Sequence, residues 1–276
     1  MEGIRNEEMK KVTLPGNREI YCINEGEVEF LYDEIFQKEM YFKHGISLPS
    51  DNPLVIDIGA NIGMFSLNVL AKNKNTRLIA VEPIPPTFTV LKKNLELYEK
   101  TEVVNAGISN KKESAEFCYF PGMSTDSVQV KYRENHDLDL RLGLENFYKH
   151  KVENKKRRER LVNHLMSPKV MDEKRFFCRM ITISNIIEER KIEHVDLLKI
   201  DVEKSEFEAL EGIREEHWPI IDQVVMEVHR LGEEQIKKLK EIFSIHGFEI
   251  IVDFYQELDI PNYYNVYASR IGMKCK

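Results

Sequence analysis

From residue 54 onward, short apolar runs alternate with stretches of helical spacing. Leu54-Val55-Ile56-Asp57-Ile58 is an unbroken run stopped by Gly59, the pattern of a strand buried on both faces of a parallel sheet. Phe65, Leu67, Val69 and Leu70 then recur as the inner face of a helix. Residues 77–81 read as the next strand, and Pro86 opens a helix carrying Phe88, Val90, Leu91 and Leu95. Residues 102–105 are a third strand, with a short one at 115–120. The rhythm resumes with helix 184–191, strand 195–200, helix 206–212, strand 223–228 and helix 233–245. Strands at 248–252 and 264–268 close the chain with no helix between them, so the last strand is expected to run antiparallel. Strand–helix alternation of this kind predicts a three-layer α/β domain whose ligand crevice lies at the carboxyl ends of the strands.

Two stretches depart from the rhythm. In residues 1–50, Pro15-Gly16-Asn17 marks a turn between short strands, and apolar residues at helical spacing follow over 27–42. This segment is expected to pack on the core or cover its pocket. Within the main domain, residues 51–276, the alternation lapses over about 121–180. Leu138, Leu142, Phe147 and Tyr148, then Leu161, Leu165 and Met166, suggest two amphipathic helices, read as a lid over the strand ends.

Of the 276 residues, 42% are hydrophobic and 32% charged, enough apolar material for a sizeable core, and the net charge of −7 argues against nucleic acid as main partner. No apolar run is long enough to cross a bilayer, and the opening residues lack the apolar stretch of a signal peptide. Cys22, Cys118, Cys178 and Cys275 form neither a zinc motif nor a disulfide framework, so a reducing cytoplasm is expected.

Chemistry concentrates where strands end. Asp57-Ile58-Gly59-Ala60-Asn61-Ile62-Gly63 follows the first core strand with G-x-x-x-G spacing. A dinucleotide site would carry G-x-G-x-x-G, so that a pyrophosphate could sit on the helix N-terminus; here Asn61 stands at the second glycine. That spacing suits an adenosyl ligand without a pyrophosphate, such as S-adenosylmethionine. Asp57 is then expected to serve its ammonium, and the loop N–H groups with Asn61 its carboxylate. Glu82, followed by Pro83, ends the second strand where two ribose hydroxyls would donate to a carboxylate. Asn105-Ala106-Gly107 is expected at the adenine edge. Turn glycines and an acidic strand end need no ligand when taken singly; their combination in strand–turn–helix context carries the reading.

These blocks resemble the class I methyltransferases, and more narrowly the FkbM family of O-methyltransferases, whose third block is matched by residues 195–203. The commoner family form has glycine after Glu203; this chain has Lys204-Ser205-Glu206. With Trp218-Pro219, residues 223–229 and residues 264–268, that variant is similar to methyltransferase domains of polyketide and nonribosomal-peptide assembly lines. The resemblance implies a seven-stranded Rossmann-like sheet with an antiparallel last strand. It also implies methylation of a hydroxyl on a small molecule or on an intermediate tethered to an acyl or peptidyl carrier protein.

An aliphatic hydroxyl holds its proton tightly, so a base near the acceptor is expected. Strand alternation places Asp201 with Glu203, and Glu227 with His229, on common faces at the ends of the fourth and fifth core strands. His229 is the candidate base, Glu203 or Glu227 its orienting carboxylate, and Asp201 orients substrate or cofactor. The same acids suit Mg²⁺ in charge, yet nothing specifies an octahedral oxygen cage, and no metal is assigned. His136, His150 and His164 in the lid read as solvated surface residues. Residues 149–160 form a basic run, read either as a solvated helix face or as a dock for an acidic carrier protein; no aromatic interleaving supports nucleic acid. Methylation of a free sugar or other small-molecule hydroxyl is the nearest rival. An NAD-dependent oxidoreductase is disfavoured by the missing pyrophosphate turn, and a non-catalytic adenosyl-binding module by the acid and imidazole groups.

Overall fold

The protein is described by a computed structural model covering residues 9–49, 51–149, 151–229, 231–254 and 263–272. Two of the residues considered above, His150 and Cys275, lie outside the described residues.

The chain opens with strands β1 (Lys10–Leu14) and β2 (Arg18–Cys22), an antiparallel hairpin, then helix α1 (Glu25–Tyr32). One π-helical turn, Asp33–Gln37, and one 3₁₀ turn, Met40–Phe42, follow, so the expected single helix over 27–42 is broken into three short pieces. Asn94 ties the hairpin to the core by accepting from the Tyr21 N–H (2.7 Å) and donating to the Tyr21 and Ile62 carbonyls.

The core then runs β3 (Leu54–Ile58), α2 (Met64–Lys72), β4 (Arg77–Val81), α3 (Pro85–Leu95) and β5 (Thr101–Val104). After a second sheet and the lid the strand–helix alternation resumes. In chain order the intervening elements are β6 (Gly107–Ile108), β7 (Glu113–Tyr119), β8 (Val128–Gln129), α4 (Arg133–Lys149), α5 (Lys155–Leu165), α6 (Pro168–Met171) and β9 (Lys174–Ile181). The closing elements are α7 (Ile183–Glu189), β10 (Leu197–Ile200), α8 (Glu206–Glu211), β11 (Gln223–His229), α9 (Glu233–Ile245), β12 (Phe248–Phe254) and β13 (Tyr263–Arg270).

Seven strands form the main sheet in the order β12-β13-β11-β10-β3-β4-β5, with β13 antiparallel to both neighbours and β3, β4, β5, β10 and β11 parallel. Alternation along β3 divides the core. Leu54, Ile56 and Ile58 face helices α7, α8 and α9, while Val55 faces α2, α3 and the N-terminal segment. Each fully buried side chain of this type contributes about 1.5–3 kcal/mol, which is why the run tolerates a charged member only where that charge is paired. Asp57 is that member.

The lid region holds the two expected helices, α4 and α5. Its last seven residues are not lid, however. Lys174–Ile181 forms β9, the centre of a four-stranded sheet of order β6-β9-β7-β8. Phe176, Cys178 and Met180 point into a small apolar cluster with Ile84, Phe117 and Tyr119. Among the described residues no helix is long and apolar enough to cross a membrane.

Candidate active site

A cavity of about 460 Å³ opens at the carboxyl ends of β3, β4, β10 and β11, roofed by α1 and the start of the lid. This is within the ordinary size range of small-molecule sites. Its wall includes Gly59, Ala60, Asn61, Glu82, Pro83, Ala106 and Gly107 on one side, and Asp201, Glu203 and Glu227 on the other. Phe30, Leu31, Leu140 and Leu144 supply apolar surface from the N-terminal segment and α4.

The β3–α2 turn is built by hydrogen bonds to β4, the Gly59 and Ala60 N–H groups both donating to the Val81 carbonyl (3.0 and 2.9 Å). Gly59 has φ +74°, and a Cβ there would lie 1.7 Å from the Asp201 carbonyl oxygen. The neighbouring backbone by itself therefore requires this glycine. Gly63 (φ +94°) caps α2 against Leu91 and lies outside the cavity wall.

Glu82 is buried at the end of β4, and its carboxylate accepts from the Asn61 N–H (3.1 Å) and the Ile84 N–H (2.9 Å). One bond falls on each oxygen, so the second lone pair of each is left for a ligand hydroxyl. Burial pushes its pKa up to about 7 against the opposing pull of those N–H groups.

Like Gly63, Asp57 and Asn105 stand outside the cavity wall where the sequence put them beside the cofactor, and Asn61 is held otherwise than expected. Asp57 does not reach the cavity. It is wholly buried, accepting from Ser66 Oγ (2.6 Å) and facing Lys199 Nζ (3.4 Å), because strand register sets Lys199 directly opposite it. Asn61 is in the cavity wall, but its left-handed backbone (φ +49°) turns its N–H to Glu82, and its side chain donates to Ser124 Oγ (3.2 Å). Asn105 stands behind the wall, its amide pinning the Glu82 and Pro83 carbonyls (2.9 and 3.0 Å).

Lys199, only 3% exposed, is a residue to which the sequence pattern gives no role. Its ammonium lies 3.2 Å from Asp201 and donates to the Gly59 carbonyl (2.8 Å). Burial alone would lower its pKa; the charges of Asp201 and Asp57 outweigh that and raise it. Tyr41, from the N-terminal segment, completes the knot by donating to Asp201 Oδ2 (3.0 Å).

On the acid side, β10 stops at Ile200, so strand alternation does not carry to Glu203. A turn does so instead, with Glu203 (φ +43°) and Lys204 (φ +73°) both left-handed. His229 ends β11 as expected but is buried behind the wall. Its Nδ1 bonds Glu206 Oε1 (2.8 Å), a residue given no role from sequence alone, while Nε2 has no hydrogen-bond partner among the described residues and faces Glu203 (3.3 Å) and Glu227 (3.6 Å). The carboxylate bonded to the imidazole is thus Glu206, with Glu203 and Glu227 between His229 and the cavity. Burial, then mutual repulsion among neighbouring acids, holds Glu203 and Glu227 well above the usual carboxylate range.

Elsewhere, His136 is buried and stacked on Phe120, not solvated; its position in α4 turns it inward. His164 is exposed, as expected. Three His/Asp residues, His194, Asp196 and Asp222, cluster at the opposite, amino ends of β10 and β11.

The strand order, with its reversed final strand and a cavity at the parallel strands' carboxyl ends, is that of the class I methyltransferase fold. The chain belongs to the FkbM family of methyltransferases, whose model, the methyltransferase FkbM domain, matches residues 57–250. It is 30% identical over 253 residues to the 31-O-demethyl-FK506 methyltransferase FkbM of Streptomyces tacrolimicus, a match covering 89% of this chain and 91% of that protein. It is also 32% identical over 283 residues to the AMB antimetabolite synthetase AmbE of Pseudomonas aeruginosa, covering 98% of this chain but spanning only 13% of that protein's length. Among solved structures, the fibrillarin pre-rRNA processing protein of Methanococcus jannaschii is similar in fold, with TM-score 0.46, 12% identity and coverage of 99% and 87% of the two chains. TYW2 of M. jannaschii in complex with AdoMet gives TM-score 0.43 and 13% identity, covering 98% and 90%.

Proposed function

We propose that the protein is an S-adenosylmethionine-dependent O-methyltransferase acting on a hydroxyl of a small-molecule or carrier-tethered polyketide or peptide intermediate. The observation that carries this reading is the oriented imidazole of His229 behind two cavity-facing carboxyls: a hydroxyl acceptor needs a route for its proton. The names of the relatives, a demethyl-FK506 methyltransferase and an antimetabolite synthetase, support the substrate class.

The residues present fit the cofactor. Glu82 has two spare lone pairs for ribose hydroxyls, Gly59, Ala60 and Asn61 supply the turn beside it, and Ala106 and Gly107 leave an open edge for adenine. When bound, S-adenosylmethionine supplies an electrophilic methyl on a sulfonium. The protein's part is to align the acceptor, exclude water and take one proton. Glu206 holds Nδ1 of His229 as the protonated nitrogen, which leaves Nε2 basic toward Glu203. Glu203, held protonated by burial and its acidic neighbours, passes its own proton to Nε2 as its other oxygen takes the hydroxyl proton. The base assignment therefore keeps His229 and places Glu203 as the group touching the acceptor. Asp201, held by Lys199 and Tyr41, fixes the wall between the two halves.

The tethered substrate finds its electrostatic partner on α5, where Lys155, Lys156 and Arg157 are exposed and Arg158 is half-buried. With methyl-labelled cofactor, label is expected in a hydroxyacyl thioester on a carrier protein. Replacing those four residues with Ala should slow the carrier-bound substrate about tenfold at low salt while changing a free thioester analogue little. Equal losses in both assays would remove the docking role. Label appearing in free sugars but in no thioester would favour the sugar methyltransferase reading instead.

A further inference from the structure

The turn carrying Glu203 departs from the commoner family form at Lys204, and the structure shows what the lysine does. Its backbone sits at φ +73°, a conformation glycine adopts freely and other residues reach at a cost. From there its N–H donates to Glu206 Oε1 (2.8 Å), the same oxygen that holds His229 Nδ1. Its side chain runs the other way, to a buried ion pair with Asp139 on lid helix α4, the two side chains being 6% and 7% exposed. Neighbouring bonds follow the same line: Gln129 Nε2 donates to Ser205 Oγ (2.8 Å), and Lys131 Nζ and Tyr132 Oη to Glu208 (2.6 and 2.9 Å).

We propose that Lys204 is a positioning residue that latches the lid to the turn holding Glu203 and Glu206, so that His229 is held in its working orientation only with α4 docked. The proposal rests on the methyltransferase reading of His229. A buried pair broken on one side leaves an uncompensated charge and is strongly unfavourable, so loss of either partner releases the lid. Glycine at this position would relax the backbone and still lose the latch. Lys204 thus exchanges local backbone ease for control of the lid over the acceptor side, whose wall includes Leu140 and Leu144.

Lys204→Gly, Asp139→Asn, the double variant and Lys204→Arg separate the possibilities without requiring the acceptor. Amide exchange across residues 133–149, measured with S-adenosylhomocysteine present, is expected to quicken about tenfold or more in each of the first two. The double variant is expected to go no further than either single one, as for partners in one pair, and Lys204→Arg to restore protection. Affinity for S-adenosylhomocysteine by calorimetry should stay within a few-fold, because the cofactor wall is elsewhere. Once an acceptor is in hand, the Gly and Asn variants should lose kcat with acceptor KM also raised. Unchanged exchange in both single variants, or additive effects in the double, would overturn the latch. Loss of cofactor binding in the unaltered protein would instead overturn the methyltransferase reading and leave the exchange result standing.

Discussion

Gly59→Ala is expected to be the most damaging single substitution in the cofactor turn. An alanine Cβ would sit 1.7 Å from the Asp201 carbonyl oxygen and 2.8 Å from its carbon, and neither backbone atom can move without parting β3 from β10. The left-handed backbone adds roughly 1–2 kcal/mol of its own for a residue with a Cβ. Together these place the change in the rare class costing more than about 4 kcal/mol, which for a domain of this size lowers Tm by roughly 8–16 °C. Displacing Asp201 also strains its bonds to Lys199 and Tyr41, so S-adenosylhomocysteine binding should disappear with the stability. Gly63→Ala is the control. It shares the positive φ, but its Cβ would meet only the end of the Leu91 side chain at 2.9 Å, and a fall of a few degrees is expected. A Gly59→Ala protein melting within two or three degrees of the parent would show that the β3–β10 approach is looser than described.

His229→Gln carries the largest expected effect on chemistry. The imidazole is enclosed by Glu203, Glu206, Glu227 and the Tyr263 ring, whose centroid is 4.5 Å away. Glutamine roughly fills that space without a basic nitrogen. Removing a general base typically costs about 10²–10⁴ in rate, so turnover should fall by that order while cofactor affinity holds within a few-fold. Glu206→Gln is expected to lose less, since its amide oxygen still accepts from Nδ1–H but no longer supports the imidazolium. Unchanged turnover in His229→Gln would refute the base assignment, and a matching loss of cofactor affinity would show that the residue acts on binding alone.

Much of the fold could be read from residue order because local signals agreed with tertiary demands. The apolar runs at 54–58 and 77–81 have no other stable home than a sheet buried on both faces, and α9 matched its expected span of 233–245. Strand β9 was missed because it alternates against a mixed environment. Arg175, Phe177 and Arg179 point outward, and Phe177 is 79% exposed, so the inward set Phe176, Cys178 and Met180 makes only a short apolar pattern. The cavity wall is legible in the sequence where the backbone itself marks the turn, as at Gly59 and Glu82. It was misread where a strong residue serves structure: Asp57 looked like a ligand group because nothing in sequence pairs it with Lys199, 142 positions later. Glu206 escaped notice for a similar reason, since an acid in a helix's first turn has an ordinary explanation in the helix dipole. Tyr41 reaches Asp201 across 160 positions, a contact no local pattern encodes.

Calorimetric titration of the intact protein with S-adenosylhomocysteine at pH 8 and pH 6 tests the central claim most directly. With the Glu82 pKa near 7 before binding and the ribose hydroxyls donating to its charged form, binding releases a proton below that pH, and affinity falls as pH drops through 7. A single site is expected at pH 8, about tenfold weaker at pH 6, with the pH dependence removed in Glu82→Gln. No heat of binding at either pH would contradict it.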